Sequence, residues 1–358
     1  MRKIVCGSLA ILASQLTAGQ LNFYNWNDYI DPEAIPGFEK QTGVKVNYDV
    51  FDNNEVLEAK LLSGQSGYDL VVPTHNFLRV QIKAGAFQPL DKAKLTNYQY
   101  LNKHIMKELA AKVDPGNKYS IPYLEGTTGI GYNPDKVKAV LGIESIDSWG
   151  IVFEPENMKK LSKCGVAFLD SGSEIFPIVL KYLGKDPSSS NVKDYKVAEK
   201  QLGNVGKYVT YYHSARYISD LANGDICVAI GWSGDVFQAK ERAIEAKNGV
   251  KIKYVIPKEG APLSFDMLAI PKDAKNVENA HQFLNYLLEP KVIAGVTNYV
   301  KYASPNDAAK PFISEQVATN PGIYPSDDVN EKLFLFTEMP KKIQRFVTRS
   351  WTKIKTGR

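Results

Sequence analysis

After residue 19 the chain alternates short apolar runs with single helical stretches, a rhythm that constrains the fold more than any other feature. LNFYNW (21–26), a helical stretch near Pro36 to Gln41, VKVNYDVF (44–51), NNEVLEAKLLSGQ (53–65) and YDLVVP (68–73) follow in order. Strands separated by one helix each need crossover connections, so they predict a parallel α/β sheet. Asn53 or Asn54 is the expected N-cap and Gly64 the expected stop of the helix carrying Val56, Leu57, Leu61 and Leu62. In open sheets of this kind ligands sit beyond the carboxyl ends of the strands. Asp28 with Trp26 and Tyr29 then falls at the end of the first strand, and Thr74, His75 and Asn76 at the end of the third.

A second α/β region begins after IPYLEGTTGIGYN, where Gly126, Gly129 and Gly131 interrupt an extended run without forming a phosphate-binding loop. It contains GVAFLD, a helical stretch after Ser173, the strand DICVAIGW and a mixed-charge helix around Ala239 to Lys247. KIKYVIP and SFDMLAIP then resume a sheet pattern. The total of 358 residues exceeds what one core usually supports, so two domains are expected.

The N-terminal MRKIVCGSLAILASQLTAGQ has a basic start, a short apolar segment and the small residues Thr17-Ala18-Gly19, the pattern of a cleaved signal peptide over residues 1–19. The apolar segment is too short for a permanent bilayer span. Cys6 sits too early to be a lipid-attachment site. A soluble, exported mature chain is expected.

Export leaves Cys164 and Cys227, which either join as one disulfide or remain two buried thiols. His75, His104, His213 and His281 are scattered and form no metal-binding motif, and no catalytic elbow or Cys-His pairing is visible. No metal, no cofactor and no enzymatic activity are expected. The formal charge of +5 includes Arg2 and Lys3, and no basic cluster is interleaved with aromatics. Nucleic acid is therefore not an expected partner. The Lys-rich end KKIQRFVTRSWTKIKTGR reads as an amphipathic terminal helix with Phe346 and Trp351 packed.

Four segments place an acidic residue beside aromatic or small residues at predicted strand ends: NWNDY with Asp28, DSGSE with Glu174, GWSGD with Asp235 and SFD with Asp266. A carboxylate beside an aromatic face suits an alkylammonium, accepting charged hydrogen bonds while the ring attracts the cation and covers its methylenes. Each segment also has a plainer reading. Asp28 is a helix cap, Glu174 a first-turn acid, Trp232 a core residue, and Ser233-Gly234-Asp235 an ordinary turn. If SFDML is extended, Ser264, Asp266 and Leu268 share one face, with Phe265 and Met267 on the other.

NWNDYI, YDLVVP, GTTGIGYN, CGVAFLD, LANGDICVAIGWSGDV, IPKEGA, NPGIYP and TRSWTKIKTG, in this order, resemble the periplasmic putrescine- and spermidine-binding proteins of bacterial ATP-binding-cassette transporters. The resemblance covers essentially all of the chain after the N-terminal segment. It implies a two-lobed periplasmic binding protein of type II with a hinge of two crossing strands. Lobe one is expected over 20–123 plus 246–290, and lobe two over 124–245 plus 291–358.

The ligand residues implied by the resemblance are Trp26, Asp28, Tyr29, Glu174, Trp232, Asp235, Asp266 and Tyr302. Asn27, Asn76 and Ser264 join them as neighbouring positions that vary. The resemblance also implies that Cys164 and Cys227 are bonded. Departures from the pattern of putrescine binders are Asn27, Glu125, Ser264 in place of an aromatic, and His75 in place of a small residue. The implied protein is a monomeric periplasmic receptor that binds a polyamine and delivers it to a membrane permease. Agmatine and γ-aminobutyrate are the alternative ligands, and chemosensing the alternative role. A ligand carboxylate would need a cationic partner, for which His75 and Arg79 are the nearest candidates.

Overall fold

The computed structural model describes residues 19–357, so the expected signal segment lies outside the described residues except for Gly19. Ten strands follow in chain order: β1 (Gln20–Trp26), β2 (Lys45–Phe51), β3 (Leu70–Val71), β4 (Ser120–Tyr132), β5 (Val166–Phe168), β6 (Tyr211–Tyr212), β7 (Val228–Trp232), β8 (Lys253–Val255), β9 (Pro262–Ala269) and β10 (Phe334–Leu335). β1 lies parallel between β2 and β3. The alternation after residue 19 predicts this part of the sheet. Asn53 accepts a hydrogen bond from Val56 N at 2.9 Å and so caps the helix Asn54–Leu62, and Gly64 follows its end with φ 74°. Only Leu57 and Leu61 of that helix are buried; Val56 and Leu62 face solvent.

Two long antiparallel strands join the halves. From Ser120 to Thr127, β4 pairs with β9, and from Thr128 to Tyr132 it pairs with β7, so one strand serves both halves of the molecule. The second half is completed by parallel pairing of β5 with β7 and β6, and by β8 beside the far end of β4. This is the two-lobed α/β arrangement with crossing strands. Among the described residues, no helix is long and apolar enough to cross a membrane.

Apolar burial separates the lobes. One core gathers Leu21, Phe23, Phe38, Leu57 and Leu78 with Phe283, Leu284 and Val300, and the other gathers Trp149, Phe168, Phe176, Tyr217 and Ile230 with Ile343 and Trp351. This partition departs from the expected ranges at two places. Ile252 and Ala261 pack in the second core, because β8 extends the ladder of β4 there. Ile293, Ala294, Val300, Tyr302 and Ala309 pack in the first, because the helix Pro290–Val300 lies against the helices Ala34–Thr42 and Val277–Leu287. The terminal helix Lys341–Thr356 returns to the second core, with Trp351 buried and Phe346 half-buried. Cys164 and Cys227 are bonded, with Cα atoms 5.4 Å apart.

Candidate functional site

A cleft lies between the two cores, where β1, β9, the helix Gly172–Tyr182 and the helix Ser233–Glu245 present their ends. The space within it, including its open mouth, is about 790 Å³, a size usual for small-molecule sites. Asp52, Glu174, Asp235 and Asp266 line it, and the last three are each held by hydroxyl or indole donors.

Asp266 on β9 accepts a hydrogen bond from the Tyr29 hydroxyl at 2.7 Å and another from Thr74 Oγ1 at 2.8 Å. Burial pushes its carboxyl up to about 6, although both hydroxyls pull it down. Asp235 stands in the first turn of the helix Ser233–Glu245 and is buried; the Tyr217 and Tyr302 hydroxyls each donate to it at 2.8 Å. Burial pushes it up to about 7, against the pull of those two hydroxyls. Glu174, in the first turn of the helix Gly172–Tyr182, accepts from Trp232 Nε1 at 2.9 Å and from the Thr128 hydroxyl, and burial pushes it up to about 7. None of the three forms an ion pair within the described residues. Ionising them in a dry cleft is costly, and a bound cation would offset that cost.

Aromatic rings wall this acidic space. Trp26 donates its indole N–H to Val72 O at 2.8 Å, which fixes the ring edge-on to Trp232 with centroids 5.6 Å apart. Tyr29 meets Tyr302 edge-on at 4.9 Å. Tyr302 needs two glycines: a Cβ on Gly234 would come within 2.1 Å of its ring, and one on Gly126 within 2.5 Å. Those glycines permit the close approach that puts Tyr302 Oη on Asp235.

Of the eleven residues singled out from sequence, Trp26, Asn27, Tyr29, Asn76, Glu174, Trp232, Asp235, Ser264, Asp266 and Tyr302 line the cleft. Asp28 does not. It adopts φ 52°, accepts from Asn27 Nδ2 at 2.8 Å, and pairs with Arg242 of the opposite lobe at 3.0 Å. A second contact bridges the lobes where Ser173 Oγ donates to Glu55 at 3.2 Å.

Neither candidate partner for a ligand carboxylate serves the cleft. His75 is buried and supplies no cation: Nδ1 accepts from Phe265 N at 3.2 Å, Nε2 lies 3.2 Å from Phe336 O, and burial lowers the ring to about 4. Arg79 faces Glu338 at 4.0 Å instead of the cleft. Glu125 is absent from the cleft lining, although Gly126 and Thr127 belong to it. Its backbone exchanges hydrogen bonds with Ala303 at 2.9 and 3.1 Å.

The residues sequence reasoning missed are chiefly Tyr217, Thr128 and Phe336. Tyr217 comes from a helix distant in the chain and carries no local motif, and Thr128 belongs to the GTTGIGYN run without a signal of its own for this role. Thr74, at the end of β3, stands where the strand-end rule places ligand contacts, and its hydroxyl serves Asp266. Among the described residues, no cluster of three or more His, Cys, Asp or Glu side chains is placed to hold a metal ion.

Comparison with known proteins adds a family to this geometry. The family described as bacterial extracellular solute-binding protein matches residues 33–325. The putrescine-binding periplasmic protein SpuD of Pseudomonas aeruginosa is 56% identical over 355 residues, covering 99% of this chain and 96% of that protein. The putrescine-binding periplasmic protein PotF of Escherichia coli is 54% identical over 360 residues, covering 99% and 97% respectively. Among solved structures, the spermidine/putrescine transporter substrate-binding protein PotD of Streptococcus pneumoniae superposes with a TM-score of 0.76 at 26% identity, covering 95% of this chain and 99% of that one.

Proposed function

The chain belongs to the bacterial extracellular solute-binding proteins, and on that premise we propose that it is a periplasmic receptor that captures a putrescine-like diamine and delivers it to an ATP-binding-cassette permease. It is a transport component, not an enzyme. The observation that carries the ligand reading is the convergence of Asp235, Asp266 and Glu174, all without an internal cation, in a cleft walled by Trp26, Trp232, Tyr29 and Tyr302. Separate carboxylates at separate places suit a ligand with an ammonium at each end and an aliphatic middle. The carboxylates hold the ends and the rings cover the methylenes.

A ligand with a carboxylate end, such as γ-aminobutyrate, finds no partner in this arrangement. Arg242 is committed to Asp28, and His75 is buried with both ring nitrogens engaged by backbone. Agmatine keeps two cationic ends and fits the same logic.

In this reading the lobes close over the ligand as two units, residues 19–124 with 262–312 on one side, and 128–261 with the terminal helix on the other. Ligand contacts from both units supply the differential affinity that favours closure. A thermal-shift panel of putrescine, cadaverine, spermidine, spermine, agmatine and γ-aminobutyrate tests the assignment, because a ligand that binds only the folded form must raise the melting temperature. The diamines and agmatine are expected to raise it and γ-aminobutyrate to leave it unchanged. A shift produced by γ-aminobutyrate alone would overturn the reading.

A further inference from the structure

The terminal helix Lys341–Thr356 carries six cationic side chains and no acidic one. Its charge exceeds the +5 of the entire chain, so the remainder is close to neutral and the positive excess sits on one element. Lys353 and Lys355 are paired, with Glu199 and Asp170. Lys341, Lys342, Arg345 and Arg349 take part in no ion pair among the described residues and are exposed. None of them lines the ligand cleft.

Lys342, Arg345 and Arg349 are spaced by three and four residues and form one row along the helix. Toward the C-terminal end of the same helix, Lys196 and Lys200 of the helix Val192–Gly206 line a shallow groove together with Glu199 and the paired Lys353 and Lys355. At 1.5 Å per residue the row from Lys342 to Arg349 spans about 10 Å, longer than any single small anion. Ile343, Val347 and Trp351 are all committed to the lobe core, so the exposed side of the helix offers no apolar anchor. A protein interface has an apolar or aromatic centre, whereas a layer of lipid phosphates needs only cations at its surface.

We infer that this face docks on an anionic phospholipid headgroup layer and holds the receptor at the membrane surface. The inference is independent of which ligand fills the cleft. Docking depends on charge, so it weakens as salt rises.

The test is co-sedimentation of the purified protein with vesicles of phosphatidylcholine, alone or with about one-third phosphatidylglycerol, at low and high salt. Wild-type protein is expected to pellet with the anionic vesicles at low salt only and to stay in solution with the neutral ones. The variant R345E/R349E is expected to lose at least tenfold in partitioning while keeping its melting temperature and ligand affinity. The variant K103E/K107E, which alters net charge equally on a helix of the other lobe, is expected to pellet like wild type. Equal pelleting of wild type and R345E/R349E would overturn the inference, as would equal loss in both variants. It is also overturned if anionic vesicles bind no protein while R345E/R349E slows ligand delivery through the permease in neutral nanodiscs, since the cations would then serve the permease.

Discussion

Asp28 and Arg242 meet at 3.0 Å across the mouth of the cleft, joining a loop of one lobe to a helix of the other. Asp28 reaches this position through a left-handed backbone, φ 52°, a conformation that Asn and Asp tolerate better than most residues. The pair sets the lobes against each other outside the acidic pocket. Its two side chains are 36% and 38% exposed, so its worth falls in the range of surface ion pairs, about 0.2–1 kcal/mol.

Arg242→Ala is therefore expected to weaken ligand binding only modestly, up to about fivefold, and mainly by speeding dissociation. The difference from wild type should shrink in high salt. Stopped-flow dissociation at two ionic strengths checks both points. Asp28→Asn should reproduce the effect without disturbing the loop, since Asn also accepts the left-handed conformation. A much larger loss would mean that Asp28 contacts the ligand directly.

Asp235 is predicted to behave oppositely in binding and in stability. Its carboxylate is buried between the hydroxyls of Tyr217 and Tyr302, so Asp235→Asn should weaken diamine binding by roughly 2–5 kcal/mol, the range for removing one member of a buried charge pair. The ligand-free protein, by contrast, should lose little stability, because the substitution removes a buried charge whose ionisation is already disfavoured. Calorimetric titration measures the first effect and thermal melts of the empty protein the second. Wild-type affinity in the variant would take Asp235 out of the site.

Binding should release protons near pH 6. In the empty cleft Asp235 and Glu174 titrate at about 7 and Asp266 at about 6, all raised by burial, while a bound dication favours their ionised forms. Affinity is expected to rise with pH up to about 7 and then level. For the empty protein the sign is reversed. A carboxyl raised on folding holds its proton longer in the folded state, so these groups favour the fold most below their unfolded values near 4. That contribution fades as pH climbs to about 7. Titrations at pH 6 in buffers of different ionisation enthalpy should give different apparent heats, and at pH 8.5 the same heat. Buffer-independent heats at pH 6 would contradict protonated carboxyls in the empty cleft.

The parts of fold and site legible in the sequence are those whose signal is local. Parallel β1, β2 and β3 follow from strand–helix alternation, and Asn53 from capping chemistry. The lobe ranges misjudge 246–261 and 291–312 because no local pattern tells a strand which ladder it extends. β8 joins β4 more than a hundred residues earlier in the chain. In the cleft, Glu174, Asp235 and Asp266 belong to the segments that pair an acid with small or aromatic residues, whereas Asp52 lies outside them. Tyr217 carries no such signal, being an ordinary apolar-face residue of its helix until the fold brings its Oη to Asp235. Asp28 shows the opposite error: its motif is intact, and one left-handed residue aims the side chain at Arg242 rather than at the ligand space.

Ser264 is the position expected to decide which amine is preferred. It lies on β9 opposite Gly126, two residues before Asp266, and both side chains line the cleft while Phe265 turns into the core. A small hydroxyl at this place leaves room beside an anchoring carboxylate, and the facing glycine adds no bulk. Ser264→Phe would fill that room with a ring. The ring offers a cation–π contact worth roughly 0.5–2 kcal/mol to a desolvated ammonium. A short diamine would gain that contact, and a longer or bulkier amine would lose the space it needs. The expected outcome is a shift of preference toward putrescine by about tenfold relative to spermidine, the arithmetic of about 1.4 kcal/mol. Calorimetric titration of both proteins with the same two ligands measures it. If their ranking and ratio stay as in the wild type, the side chain at 264 does not touch the ligand, and selectivity rests with other lining residues such as Asn27 and Asn76.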